Sequence, residues 1–279
     1  MERTKLVAAS PGLLSGMRGI ILGVANNRSI AWGIARAARA AGADLAFTFQ
    51  GEALEKRVRP LAQDLGAKVF GHCDVTDAAS IDAVFAEAEA KWGALDFVVH
   101  CIAFSDKDQL TGRYIDTTED NFTKSLAISC YSFTAIAQRA EKLMRHGGSM
   151  LTLTYYGAEK WIPNYNVMGV AKAALEASVR YLAADLGEKA IRVNAISAGP
   201  IKTLAMSGIG DSRYILKWNE YNAPLRRLVT IEEVGESAVY LLSPMSRAVT
   251  GAILHVDAGY HIVGMKNPAA PDISVVKDG

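Results

Sequence analysis

Apolar and polar positions along this chain alternate between two rhythms. Short apolar runs recur at 18–25 (RGIILGVA), 44–50 (DLAFTFQ), 67–75 (AKVFGHCDV), 95–103 (LDFVVHCIA), 149–154, 191–197 and 252–256. Runs this short, rich in Val, Ile and Phe, fit strands buried on both faces. Between them apolar residues return every three or four positions, predicting a helix that opens at Ser29 and others over 52–65, 77–92, 118–144, 165–188 and 230–242. Ser29 suits an N-cap. Strand alternating with helix over the whole length predicts an α/β protein: a single Rossmann-like, doubly wound parallel sheet with helices on both faces. Residues 1–17 have no clean period and read as a lead-in, and 18–265 read as one domain. Residues 199–227 are less regular and stand out as a possible substrate-binding segment, while the polar, Pro-containing stretch 266–279 reads as a surface tail.

Composition narrows the class. Half of the 279 residues are hydrophobic and 21% are charged, as in a soluble globular protein with a sizeable core. A net charge of +1 gives no reason to expect nucleic acid or an anionic membrane surface as a partner. Cys73, Cys101 and Cys130 are scattered and lack metal-ligand spacing, so they read as buried free thiols of a reducing compartment, and no metal site is expected. The N-terminal apolar stretch is short and broken by Pro11, unlike a signal peptide, and no run has the length of a membrane span. A cytoplasmic protein is expected.

Candidate chemistry concentrates in LTLTYYGAEKWIPNYNVMGVAKAAL, residues 151–175. Tyr155 ends a strand, Tyr165 begins a helix, and Lys172 follows seven residues later, close to two turns at 3.6 per turn. Tyr165 and Lys172 thus share a helix face, where an ammonium beside a phenol favours the phenolate and can grip diol hydroxyls. Taken alone, the pair could equally be an interfacial aromatic beside a solvated lysine. Upstream, GVANNRSIAWG (23–33) joins the first strand to the first helix where such sheets receive a pyrophosphate on helix N–H groups. Gly23 permits a sharp turn, Gly33 a close approach of helix to sheet, and Ser29 and Ile30 fall at the phosphate positions. The glycines are not spaced as G-x-G-x-x-G, and a plain strand–loop–helix corner would read the same. After the second strand stands Gln50-Gly51-Glu52, without the Arg or Lys that a 2′-phosphate requires, which favours NADH over NADPH. Asp74 and Val75 close the third strand, where Asp74 could meet an adenine edge or merely cap the next helix.

Taken together these stretches resemble the short-chain dehydrogenase/reductases, with a displaced pattern. The usual Tyr-x-x-x-Lys would need tyrosine at Met168; here the spacing is Tyr-x6-Lys, and Tyr155 replaces the usual strand serine. With GVANNRSIAWG, FTFQ, YYGAEKWIPNYNVMGVAK, RVNAISAGPIKTLA and GAILHVDAGY, the chain resembles the bacterial enoyl-[acyl-carrier-protein] reductases of type II fatty-acid synthesis over residues 17–265. The resemblance implies NADH contacts at Gly23, Ser29, Ile30, Gln50, Asp74, Val75, Ile102 and Lys172, and at Ile201, Lys202, Thr203, Leu204 and Ala205. It implies Tyr155, Tyr165 and Lys172 as the catalytic set, and substrate contacts at Ser105, Tyr155 and Tyr165. It further implies an enoyl thioester on acyl carrier protein as substrate, docking on basic side chains near the mouth, for which Lys202, Arg213 and Lys217 are candidates although a solvated face explains them equally well, and a homotetramer pairing the helices at 118–144 and 165–188. Ala103 stands where glycine is usual beside the acyl pocket, and Tyr156 adds a second phenol. An ordinary carbonyl or alcohol dehydrogenase is the alternative enzyme, and a non-catalytic NAD-binding scaffold the alternative from another class.

Overall fold

The apolar runs form seven strands, all parallel, in the computed structural model, which describes residues 12–204, 206 and 210–273. They are β1 (Arg18–Leu22), β2 (Asp44–Phe49), β3 (Lys68–His72), β4 (Phe97–His100), β5 (Gly148–Thr154), β6 (Ile191–Ala198) and β7 (Ile253–Val256). The order is β3-β2-β1-β4-β5-β6-β7. The chain therefore builds outward from β1 to β3, then returns to lay β4 on the other side of β1, with Ile20 beside Val98. That reversal opens a crevice at the carboxyl ends of the strands, where ligands of such sheets bind.

The helices are α1 (Ile30–Ala40), α2 (Gly51–Leu65), α3 (Ala78–Trp92), α4 (Glu119–Leu126), α5 (Ser132–Leu143), α6 (Asn166–Leu186), α7 (Ser212–Asn222) and α8 (Ile231–Leu242). Successive strand residues point to opposite faces, so each strand supplies two cores. Ile21, Val99, Leu151 and Ile196 pack with α1 and α8 on one face, while Ile20, Leu22, Val98, Met150 and Val193 pack with α3, α5 and α6 on the other. Seven strands sandwiched by helices give the doubly wound sheet expected.

Several expectations need correcting. The helix read over 118–144 is α4 and α5 joined by a π-helical turn, Ala127–Tyr131; apolar spacing cannot register one residue of helical slack. Segment 199–227 contains the eleven-residue α7, whose buried side includes Asn219 and Asn222 and so blurs the apolar period. The lead-in is seated as far as it is described: Leu14 is fully buried, and its amide donates to the carbonyl of Ala41 (2.9 Å). The tail does not lie wholly on the surface, since Ala270 and Ile273 are buried and the Asn267 amide donates to Asn222 Oδ1 (2.8 Å). Gly33 faces not the sheet but α8, where an added Cβ would stand 2.2 Å from the Ile231 carbonyl oxygen. Of the thiols, Cys73 is buried and Cys101 and Cys130 partly so; none is paired.

Candidate active site

Parallel strands bring the predicted residues to one edge, since each follows the carboxyl end of its strand. Gly23 leaves β1 at φ +96°, and a Cβ there would stand 2.1 Å from the Cys101 carbonyl oxygen just beyond β4. Only glycine fits this turn. Ser29 caps α1: its Oγ accepts from Trp32 N (3.2 Å) and donates to the Asn26 carbonyl (2.8 Å). Ile30 is the first residue of α1, and the helix itself offers no acceptor for its first amides. Beyond β2 and β3, Gln50 Nε2 donates to Asp74 Oδ2 (3.0 Å). Asp74 Oδ1 accepts from the amide and hydroxyl of Thr76 (2.8 and 2.6 Å), and these bonds hold its carboxyl below the usual range. Asp74 does not cap α3; Asp77 does, through Ala79 N. Val75 and Ile102 pack on the β3–β4 face of the core.

Ile201 is half-buried after β6, and Thr203 folds back, its amide donating to the Ile201 carbonyl (2.7 Å) and its Oγ1 accepting from Met206 N (3.2 Å). Lys202, Thr203 and Leu204 line a cleft of about 310 Å³ with Asn26 and Arg28 of the glycine turn. Ala205 lies outside the described residues, as does Gly208. The residues present fit a dinucleotide: a turn without room for a side chain, a helix N-terminus, and polar side chains fixed to each other below β2 and β3.

The reacting end is built by β5, the loop after it and α6. Tyr155 follows β5, and its ring meets that of Tyr165 edge-on, 5.0 Å between centroids. Tyr165 sits just before α6, between Asn164 (φ +58°) and Asn166 (φ +39°), a strained pair of positions that asparagine tolerates better than most residues. Their amides bond outward, Asn164 Nδ2 to Asp211 Oδ2 (2.9 Å) and Asn166 Nδ2 to the Gln109 carbonyl (3.3 Å). Gly157 gives the Tyr165 ring its room, since a Cβ there would stand 2.3 Å from Tyr165 Cδ1. Burial, then Tyr155 and Glu176, push the Tyr165 phenol far up; burial and Tyr260 do the same for Tyr155. At both positions burial thus works against the phenolate that a nearby ammonium would favour.

Lys172 is buried on α6 and donates to the Leu153 carbonyl (2.8 Å). Burial lowers its pKa to about 8, against the opposing pull of Cys101, Cys130 and Glu176. It is not a solvated lysine. Ser105 stands in the segment after β4, its Oγ donating to Asn121 Oδ1 (3.2 Å), and Ala103 is exposed beside it. Tyr156 is taken out of the reacting group, because its hydroxyl donates to the His261 carbonyl (3.1 Å).

Sequence reasoning missed three residues around this set. Glu176, one turn beyond Lys172, is buried and accepts from Thr154 Oγ1 (2.7 Å); its carboxyl is raised by burial. The i, i+4 spacing from Lys172 was the available signal. His100, fully buried at the end of β4, stands 2.9 Å from Thr152 Oγ1 and 2.8 Å from Ser132 Oγ. Ser132 spends its proton on the Ile128 carbonyl (2.6 Å), so it accepts from His100 Nε2–H, and burial with nearby Lys172 lowers the His100 pKa to about 3. Asn121, buried on α4, gathers Ser105 Oγ, the Asp106 amide and Ser125 Oγ on one oxygen, while its Nδ2 has no partner among the described residues.

A dinucleotide crevice whose neighbouring helix carries a tyrosine and a buried lysine places the fold among the short-chain dehydrogenase/reductases, a class of nucleotide-dependent oxidoreductases. The family pattern described as enoyl-(acyl carrier protein) reductase matches residues 23–261, and the chain belongs to that family. It is 71% identical over 272 residues to an enoyl-[acyl-carrier-protein] reductase [NADH] of Rhizobium meliloti, covering 98% of this chain and all of the relative. The crystal structure of the Anaplasma phagocytophilum reductase in complex with NAD has 58% identity and a TM-score of 0.90, covering 95% of this chain and 99% of that one. The Bacillus cereus reductase, solved with NADP+ and an indole naphthyridinone, has 53% identity and a TM-score of 0.89, covering 91% and 99%.

Proposed function

We propose that this chain reduces the trans-2 double bond of enoyl thioesters carried on acyl carrier protein, using NADH, in type II fatty-acid biosynthesis. The observation that carries this reading is the edge-on contact of the Tyr155 and Tyr165 rings at the open end of the sheet, with buried Lys172 on the helix that follows Tyr165. NADH, when bound, supplies the hydride that the substrate takes at C3. Gly23, Ser29 and Ile30 would hold its phosphates, with Ile201, Lys202, Thr203 and Leu204 on the other side. Gln50, Asp74 and Val75 would hold its adenosine, and Ile102 would line the nicotinamide side.

As C3 is reduced, negative charge gathers on the thioester oxygen, and a donor fixed at that point lowers the barrier. Tyr165 fills this role, being a neutral O–H held by a strained loop and a glycine-shaped seat. Tyr155 positions the thioester against it. The Lys172 ammonium would hold ribose hydroxyls of the bound cofactor and add positive potential, while its bond to Leu153 fixes its reach. Ser105 lines the acyl pocket. Lys202, Arg213 and Lys217 offer cations to an acidic carrier protein at the mouth.

A homotetramer and a cytoplasmic location belong to the same reading. Tyr131 on the π-helical turn and Tyr181 on α6 are large exposed aromatics on the helices expected to pair between subunits, and all three cysteines are unpaired thiols. The test is NADH oxidation with crotonyl and longer 2-enoyl thioesters, run beside NADPH and a panel of ketones. Oxidation with NADH and enoyl thioesters is expected. Oxidation with ketones alone overturns the reading in favour of a carbonyl reductase.

A further inference from the structure

Helix α7 owes little to the two main cores: Ile215 and Leu216 pack on Met206, with Ile162 and Leu228 alongside. Polar ties hold it at three points. Asn164 Nδ2 meets Asp211 Oδ2 at one end, the Asn267 amide meets Asn222 Oδ1 at the other, and between them Trp218 Nε1 donates to Tyr260 Oη (2.8 Å). The middle tie joins α7 to the turn that follows β7.

That turn is fixed independently of α7. Asp257 accepts from the amides of Gly259 (2.9 Å) and His261 (2.8 Å), and Tyr156 Oη donates to the His261 carbonyl. The Tyr156 ring also lies edge-on to Tyr260, 5.9 Å between centroids. Tyr260 is thus a fixed post, and Trp218, stacked on Tyr214, is the part that α7 carries towards it. Because Tyr260 Oη accepts from the indole, its own hydrogen points away from Trp218. Tyr260 packs on the same small apolar cluster as Ile201, and its ring contact with Tyr156, the neighbour of Tyr155, sets it beside the reacting group.

We propose that Trp218 and Tyr260 form a latch seating α7 against the acyl site, and that the Tyr260 hydroxyl, aimed by Trp218, donates to the polar thioester end of the substrate. Trp218 is then a positioning residue, acting through Tyr260. The proposal rests on the reductase reading for its substrate.

The experiment compares wild-type enzyme with Tyr260→Phe, Trp218→Phe and the double variant. Initial rates are read with NADH and 2-enoyl thioesters, and amide hydrogen exchange is followed in residues 212–222. Each single variant should raise KM for the thioester about fivefold, the effect of one lost hydrogen bond, with kcat and the KM for NADH held within about twofold. The double variant should be no worse than Tyr260→Phe alone, because that change already removes both the Trp218 bond and the thioester bond. Exchange in α7 should quicken in each. A wild-type thioester KM in Tyr260→Phe, whose ring is retained, overturns the substrate contact, and multiplied effects in the double overturn the latch. Should wild type oxidise no NADH with any enoyl thioester, the reductase reading fails by itself; the latch then stands on faster α7 exchange and falls if exchange is unchanged.

Discussion

Lys172 Nζ donates to the carbonyl oxygen of Leu153 at 2.8 Å, tying α6 to β5 two residues before Tyr155. The bond fixes a charge in a buried place, and burial brings the lysine from its ordinary 10.5 to about 8. Two consequences of opposite sign follow. The ammonium is lost as pH rises through about 8, so kcat/KM for enoyl thioester should fall there in a pH–rate profile. Stability moves the other way. The unfolded chain binds this proton more tightly, so the burial cost is fully present below pH 8 and is relieved between about 8 and 10.5. Lys172→Met should therefore melt higher than wild type at pH 7, with the gap closing by pH 10.

Removing the Tyr165 hydroxyl should lower kcat by roughly 10²–10³-fold, as for one lost oxyanion donor, and leave the KM for NADH unchanged. Gly157→Ala tests the seat rather than the group. Its Cβ would stand 2.3 Å from Tyr165 Cδ1, so the ring must move, and a displacement of about 1 Å costs roughly 10²-fold in rate. Gly187→Ala, with nothing within 4 Å and no positive φ, is the control and should keep full activity. Steady-state rates on the three variants decide the matter; wild-type turnover in Tyr165→Phe would remove this residue from the mechanism.

Asp74→Ala frees Gln50 Nε2 and the Thr76 turn together. The expected result is a KM for NADH raised about tenfold, with kcat within about twofold, because the adenosine end lies far from the reacting carbons. Equal loss in kcat would contradict an adenosine role.

Helical glycine-to-alanine changes usually stabilise, by about 1 kcal/mol. Gly33 and Gly235 should do the reverse. A Cβ on Gly33 would lie 2.2 Å from the Ile231 carbonyl oxygen, and one on Gly235 would lie 2.5 Å from that of Gly33. Both α1 and α8 must then part, at an overpacking cost of about 1–3 kcal/mol. Thermal melting of either alanine variant should show the loss.

The sheet was legible because burial on both faces writes itself as unbroken apolar runs; β2 and β7 end within a residue of the runs that announced them. Tyr155, Tyr165 and Lys172 stood out for a different reason, three unusual residue types at helix and strand-end spacing, and the structure brings the two tyrosine rings into contact. What stayed hidden depends on partners distant in sequence. Nothing near Gly33 names α8 as its neighbour. Nothing in an apolar strand tells that His100 will be met by Thr152 from β5 and Ser132 beyond the π-helical turn. Ala270 and Ile273 are too few to give a period, so their burial escaped notice. The seven-residue spacing showed the helix face that Tyr165 and Lys172 share, but not the burial that raises the Tyr165 pKa.

The strand order has a consequence for how the chain is made. β1 lies between β2, which follows soon after it, and β4, which arrives only after two further helices and a strand. On a ribosome adding about 5–20 residues per second, one edge of the central strand stands bare for several seconds, with Ile20 to Leu22 already synthesised and Val98 to His100 not yet emerged. The same strand that ends in Gly23 is therefore the part of the nascent chain most in need of shelter.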